Sequence, residues 1–316
     1  MSEVQASEAG VDVLVVGPGA MGCLHAALLN RAGLSVALLD HRKSRARKLR
    51  ENGFLLSIED DLDRIVLPCG SAAEEFRPAK LVLIFTKAGA TTAGMERALP
   101  ACDDNTTVVT LQNGLGNWER IAEIVPAERV LAGTTSTGAT MRGETYIVRL
   151  EGMGTIRLGS PTGDRERAER TVEVFAGAGF PCEVTDDLEG ALWTKAVINA
   201  AINPLTALTG RLNGELLQDE GFRRTLAQVA EEAAAVARAC GATVPDEIVP
   251  VVEGVCRQTA GNRSSMLQDL SAPRLTEIDF INGEIARRGA EVGVPTPLCI
   301  ALTALIQDIE RKTWGT

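Results

Sequence analysis

The chain has 316 residues, enough for two domains, with 23% charged and only 3% aromatic residues. Its formal charge of −10 argues against nucleic-acid and anionic-membrane partners. Two histidines and seven scattered cysteines without ligand spacing argue against a metal site or a Ser-His hydrolase, and no apolar run reaches transmembrane length.

Residues 1–10 are polar and acidic, unlike a signal peptide, so a cytoplasmic protein is expected. Val11–Val16 is a β-branched run followed by Gly17-Pro18-Gly19-Ala20-Met21-Gly22 and an amphipathic stretch closed by Gly33. Strand, glycine turn and helix in that order are the context of the G-x-G-x-x-G dinucleotide fingerprint. Gly17 allows the tight turn, Gly19 lets backbone approach a pyrophosphate, and Gly22 lets the helix pack on the strand. The helix N-terminus offers free N–H groups to the phosphates.

A second strand, Ser35–Asp40, ends on Asp40, eighteen residues past Gly22. An acid there accepts ribose hydroxyls and favours NAD. Yet His41, Arg42, Lys43 and Arg45 follow at once and suit a 2′-phosphate. Further strands are expected at Leu81–Thr86, Thr107–Leu111 and Arg129–Ala132, with glycine-punctuated β structure over 133–160. Thr86-Lys87-Ala88 and Gln112-Asn113-Gly114 follow two of these strands, where open α/β sheets bind ligands. Taken singly, Lys87 reads as a surface lysine and Asn113 as a turn residue.

From Leu188 onward the pattern is helical, which places a boundary near residue 186: a dinucleotide-binding domain over 1–186 and an all-helical domain over 187–316. In Trp193–Pro204, Lys195, Asn199 and Asn203 recur every four residues and form one polar stripe on a mostly apolar helix. Such groups are costly to bury without a purpose. A lysine can protonate an oxygen that is becoming negative, and the amides can hold a polar substrate. A solvated helix face is the plainer alternative. Helices are also expected over Arg223–Ala239 and Ile278–Val292. Thr276 and Asp279 read as a capping box, with Leu275 and Phe280 as a hydrophobic staple, which would put Glu277 in a first turn. Gly293 and Pro295 end that helix.

Together these motifs resemble the ketopantoate reductase (2-dehydropantoate 2-reductase) family, from Val11 to about Lys312. The carriers are Gly17–Gly22, Thr86–Ala88, Gln112–Gly114, Trp193–Pro204, Ser264–Asp269 and Thr276–Gly283. The resemblance implies an α/β protein with an N-terminal Rossmann-type domain and a C-terminal all-α domain. It implies NADPH-dependent reduction of 2-dehydropantoate, with Lys195 as general acid and Glu277 supporting catalysis. Asn199, Asn203 and Ser265 would hold the substrate, while Asn113 and Lys87 border cofactor and substrate. The cofactor set comprises Gly17, Pro18, Gly19, Ala20, Met21, Gly22, Asp40, Arg42, Thr86, Lys87 and Asn113. NADP is the expected cofactor, NAD the alternative; no metal is expected, and a homodimer is compatible with the resemblance. Pro18 in the fingerprint and Pro273 before Arg274 depart from the family pattern. Two other readings stay open: a reductase of another 2-oxo acid, since specificity lives in pocket shape, and a dinucleotide-sensing regulatory protein, against which Lys195 and Glu277 argue.

Overall fold

The computed structural model describes residues 10–59, 61–143, 146–272 and 274–314; the N-terminal acidic stretch up to residue 9 and Pro273 lie outside them. The chain divides into two compact units. One comprises the residues up to Gln112 together with Asn117–Leu188, the other Asn113–Gly116 together with the residues from Glu189 onward.

In the first unit, β1 (Val11–Val16) leads through the glycine loop into α1 (Ala20–Arg31) and β2 (Val36–Leu39). Then come α2 (Lys43–Asn52), the hairpin strands β3 (Phe54–Ile58) and β4 (Asp61–Ile65), and the short β5 (Cys69–Gly70). The alternation resumes with β6 (Ala79–Ile84), α3 (Thr91–Ala98), β7 (Thr107–Thr110), α4 (Asn117–Ala122) and β8 (Val130–Thr135). β9 (Gly138–Arg142), β10 (Ile147–Gly152), β11 (Ile156–Gly159), α5 (Arg165–Gly177) and β12 (Cys182–Val184) complete it.

The main sheet runs β12-β11-β8-β7-β6-β1-β2-β5. All its neighbours are parallel except β8 and β11. The stretch from β5 to β8 is the doubly wound order of dinucleotide-binding sheets, with the strand order reversing between β1 and β6. Both strands are Val/Leu/Ile runs with inner residues buried on both faces, as parallel strands between helix layers must be.

The hairpin β3–β4 was not legible in the pattern, and it changes the surroundings of α1. It pairs with β10 and β9 into a second sheet, β4-β3-β10-β9, which packs against α1. Gly22 through Leu29 are consequently buried without a break, so α1 is not amphipathic in the expected sense. Even His25 is enclosed, stacked 4.4 Å from Phe180 and 4.5 Å from Phe85 between ring centroids. Its Nδ1 donates to Met21 O at 2.8 Å, and burial pushes its pKa down to about 4, which keeps the imidazole neutral.

The second unit is helical: α6 (Leu188–Thr209), α7 (Glu220–Ala239), α8 (Ile248–Gln258), α9 (Ser265–Leu270), α10 (Asn282–Val292) and α11 (Pro297–Trp314). α7 starts on Asp219, whose carboxylate accepts from the N–H groups of Gly221 and Phe222, and Leu226, Val229, Ala233 and Val236 form its buried stripe. Gly293 terminates α10 at a φ of 74°, a left-handed cap. The start expected for that helix is corrected. Ile278–Phe280 is a separate 3₁₀ turn and α10 begins only at Asn282. Thr276 Oγ1 accepts from Ile278 N at 3.2 Å, Asp279 is taken by Gln307 Nε2 at 2.6 Å, and Leu275 is exposed. Tertiary partners on α11 outcompeted a local capping box.

One position in the loop after β1 cannot carry a side chain. Gly17 has a φ of +87°, and a Cβ on it would lie 2.8 Å from Thr86 N. Gly17→Ala should lower the unfolding free energy by about 1–3 kcal/mol. Urea denaturation followed by circular dichroism measures this, and a midpoint equal to wild type would contradict it.

Candidate active site

The loop after β1 and the loop after β6 lie together at the carboxyl ends of adjacent parallel strands. Phe85 N donates to Val16 O at 2.8 Å, and Gly17 N donates to Leu39 O at 3.1 Å. A Cβ on Gly22 would stand 2.4 Å from Gly17 O, so that glycine is required by packing. Gly19 differs: nothing lies within 4 Å of where its Cβ would be. This open space adjoins the N-terminus of α1, where no side chain caps the backbone and no acid occupies the first turn. These features suit a pyrophosphate. Thr86 is held by Gln112, whose Nε2 donates to Thr86 O at 2.7 Å and to Thr86 Oγ1 at 3.2 Å. Lys87 is exposed.

Asp40 and the basic run separate into two roles. Asp40 is 1% exposed, and its carboxylate accepts from Arg42 N and from Arg45 Nη1, both at 2.9 Å. Arg45 also donates to Pro18 O and lies 5.2 Å over the Tyr146 ring. Arg45 therefore ties the second strand to the glycine loop and is not a free phosphate ligand, contrary to the sequence expectation. Arg42 and Lys43 remain exposed.

In the second unit, α6 carries the polar stripe. Ala196, Val197, Ala200 and Ala201 bury its other faces. Asn199 is half-buried and Asn203 is 6% exposed. Among the described residues neither amide side chain has a hydrogen-bond partner. Lys195 is half-buried as a residue, and the burial of its ammonium pushes its pKa from 10.5 down to about 8. The Glu277 carboxylate opposes that shift, which places it within electrostatic reach of Lys195. Glu277 is itself buried and lies 3.5 Å from Asn113 Nδ2. These two residues are 164 positions apart in sequence. Leu115 N donates to Phe280 O at 2.9 Å, and Gly114, at a φ of +86°, leaves no room for a side chain against the same carbonyl.

Ser264 and Ser265 have different tasks. Ser264 caps α9 by accepting from Leu267 N at 3.1 Å and sits 2.7 Å from Thr206 Oγ1, which pins α9 to α6. Ser265 is exposed. Glu310 of α11 accepts from Thr276 N at 2.7 Å and fixes the segment beside Glu277. Thr206 and Glu310 were missed in the sequence, because each acts through a partner far along the chain, while Arg45 was read only as suiting a 2′-phosphate and Gln112 only as part of a loop motif, without the ties to Pro18 O and Thr86 that the fold gives them. Among the described residues, no group of three His, Cys, Asp or Glu is placed to hold a metal, and no helix is long and apolar enough to cross a membrane.

A family model described as Ketopantoate reductase PanE/ApbA matches residues 13–163, and its C-terminal counterpart matches 187–310. A 2-dehydropantoate 2-reductase of Halobacterium salinarum is 34% identical over 301 residues, covering 95% of this chain and 99% of that protein. The chain belongs to the ketopantoate reductase family. Among solved structures, a PanE/ApbA family ketopantoate reductase from Ralstonia eutropha matches with a TM-score of 0.86 at 31% identity, covering 95% of this chain and 98% of that one. A D-mandelate dehydrogenase, in a ternary structure with NADH and anilino(oxo)acetate, matches with a TM-score of 0.89 at 27% identity and the same coverage.

The opposed influences on Lys195 generate a measurable expectation. Glu277→Gln removes the charge that raises the lysine, so the Lys195 pKa should fall below about 8. Titration of ¹³C-labelled lysine side chains by NMR would follow it. An unmoved or raised value would mean that the two groups are not coupled.

Proposed function

We propose that this protein reduces 2-dehydropantoate to pantoate with NADPH, and that Lys195 donates the proton. The observation that carries the reading is a family-member chain in which a buried ammonium is held near pKa 8 beside a buried carboxylate. When bound, the cofactor supplies the hydride. Gly17, Pro18, Gly19, Ala20, Met21 and Gly22 would hold its pyrophosphate, Thr86, Lys87 and Asn113 would border it, and Asp40 and Arg42 would shape its adenosine end. As the ketone oxygen gains negative charge, an ammonium near it is worth most in the transition state. At pH 7 a lysine of pKa about 8 is mostly protonated, yet gives up its proton far more readily than an ordinary lysine. Glu277 keeps that lysine charged. Asn199, Asn203 and Ser265 offer donors and acceptors for the hydroxyl and carboxylate groups of the oxo acid.

The burial and pairing of Asp40 support NADP over NAD. A carboxylate already engaged by Arg45, by the Arg42 backbone and, at 3.8 Å, by Arg42 Nε is poorly available to a ribose, while the still exposed Arg42 guanidinium can turn to meet a 2′-phosphate. A second reading is reduction of another 2-oxo acid on the same scaffold. The likeness to a D-mandelate dehydrogenase favours keeping it. Assays of NADPH and NADH oxidation with 2-dehydropantoate and a series of aliphatic and aryl 2-oxo acids decide between them. Strong preference for an aryl acid would replace the first reading with the second, and no turnover on any oxo acid would remove both.

Lys195→Ala should lower kcat by roughly 10²–10⁴-fold with NADPH affinity little changed. In the wild type, kcat/KM for reduction should hold below about pH 8 and fall as Lys195 deprotonates above it. A profile flat to pH 10, or near-wild-type turnover in the variant, would take Lys195 out of the chemistry.

Arg42→Ala should weaken NADPH binding by about ten- to a hundredfold and leave NADH binding nearly unchanged. Nicotinamide fluorescence titration measures both. Equal losses for the two cofactors would deny Arg42 a role in choosing between them.

A further inference from the structure

Helix α6 contains a proline in its interior, Pro204, directly after Asn203. Proline has no N–H, so the carbonyl four residues earlier loses its helical partner. That carbonyl belongs to Ala200, and it sits between Asn199 and Asn203 on the helix that bears Lys195. Ala200 is fully buried, so no water is at hand to repair the loss. The repair comes from another element. Asn282 Nδ2 donates to Ala200 O at 3.1 Å, and Asn282 is 0% exposed. Among the described residues its one further neighbour on that nitrogen is Cys299 Sγ at 3.9 Å, a weak acceptor. Among the described residues its buried Oδ1 has no hydrogen-bond partner. A buried carboxamide that satisfies one end and leaves the other unmet is costly, so the single bond to Ala200 must serve a purpose that an apolar residue could not.

The position of Asn282 suggests that purpose. It is the first residue of α10, five residues after Glu277, and the turn Ile278–Phe280 lies between them. One side chain thus joins the interrupted part of the Lys195 helix to the first residue of α10, which follows the turn that begins at Glu277. We propose that Asn282 is a positioning residue: it replaces the hydrogen bond that Pro204 deletes and holds the Lys195–Asn199–Asn203 stripe in register with Glu277. This deepens the reading of Lys195 as proton donor and rests on it for its effect on turnover. The hydrogen bond does not touch substrate or cofactor; it acts through the placement of α6.

The test uses four full-length proteins: wild type, Asn282→Ala, Pro204→Ala, and the double variant. Restoring an N–H at position 204 returns to Ala200 its in-helix partner, so the second substitution should compensate the first. Asn282→Ala should lower kcat/KM for the oxo acid by at least about tenfold, in keeping with the cost of small misplacements in a site. It should also lower the Lys195 pKa, because the lysine loses part of its coupling to Glu277. NADPH affinity should stay within about twofold, as no glycine-loop residue is involved. The double variant should recover most of the lost kcat/KM and return the lysine pKa toward wild type. Asn282→Ala that loses only thermal stability, with kinetics and lysine titration unchanged, would overturn the proposal. So would a lysine pKa that rises, or a double variant as impaired as the single one or unable to fold. The NMR titration of Lys195 keeps the two readings separable. Absent turnover in the wild type would sink the proposed activity, while the titration across the four proteins would still decide the role of Asn282.

Discussion

An ammonium held near pKa 8 by two opposed influences is the constraint around which the second unit is organised. Burial alone would push Lys195 toward neutrality, and the Glu277 carboxylate alone would hold it charged. Neither influence survives displacement, because both depend on short range and low polarity. The unit therefore spends its polar contacts on fixing the elements that carry these two residues. Glu310 and Gln307 of α11 hold the segment 276–279. Asn113 meets Glu277, and Leu115 N the next turn at Phe280 O, from the segment 113–116. Thr206 and Ser264 fasten α9 to the far end of α6.

The first unit faces a different problem, that of a glycine loop whose backbone is bare. A glycine loop without side chains cannot stiffen itself, and here Arg45 stiffens it from outside. Its guanidinium spans Asp40 on the second strand and Pro18 O in the loop, with the Tyr146 ring beneath. The buried Asp40 is neutralised by the same contact. Covering α1 with the second sheet completes the arrangement, since a helix packed on both sides presents its N-terminus from a rigid base.

The fold was legible where local signals and tertiary demands agree. Val11–Val16, the glycine turn and the run expected at Leu81–Thr86 pointed to a parallel sheet by their β-branched, apolar composition, and the structure places the last of these strands at Ala79–Ile84. Likewise the apolar period of α7 and the left-handed Gly293 cap were read correctly. Failures came where a distant partner won. The capping box at Thr276 lost to α11, and α1 was enclosed by a hairpin that its own sequence does not foretell. The arginine run beyond Asp40 looked uniform in sequence, yet Arg45 is mostly covered between Asp40 and Pro18 O while Arg42 stays exposed with its Nε 3.8 Å from Asp40.

By itself the sequence determined the residue types and their local spacing: a glycine turn between strand and helix, and Lys195, Asn199 and Asn203 at one-turn intervals. Those follow from backbone sterics and helical period, which act within a few residues. Within a helix through Pro204 it also determined that the Ala200 carbonyl would lack its in-helix partner, since Pro204 carries no N–H. What only the tertiary structure decided is who meets whom across long separations: Asn113 beside Glu277, Glu277 in reach of Lys195, Asn282 on Ala200, and Arg45 on Asp40. Such pairings depend on packing and on the low polarity that packing creates, and neither is written into any one stretch of chain.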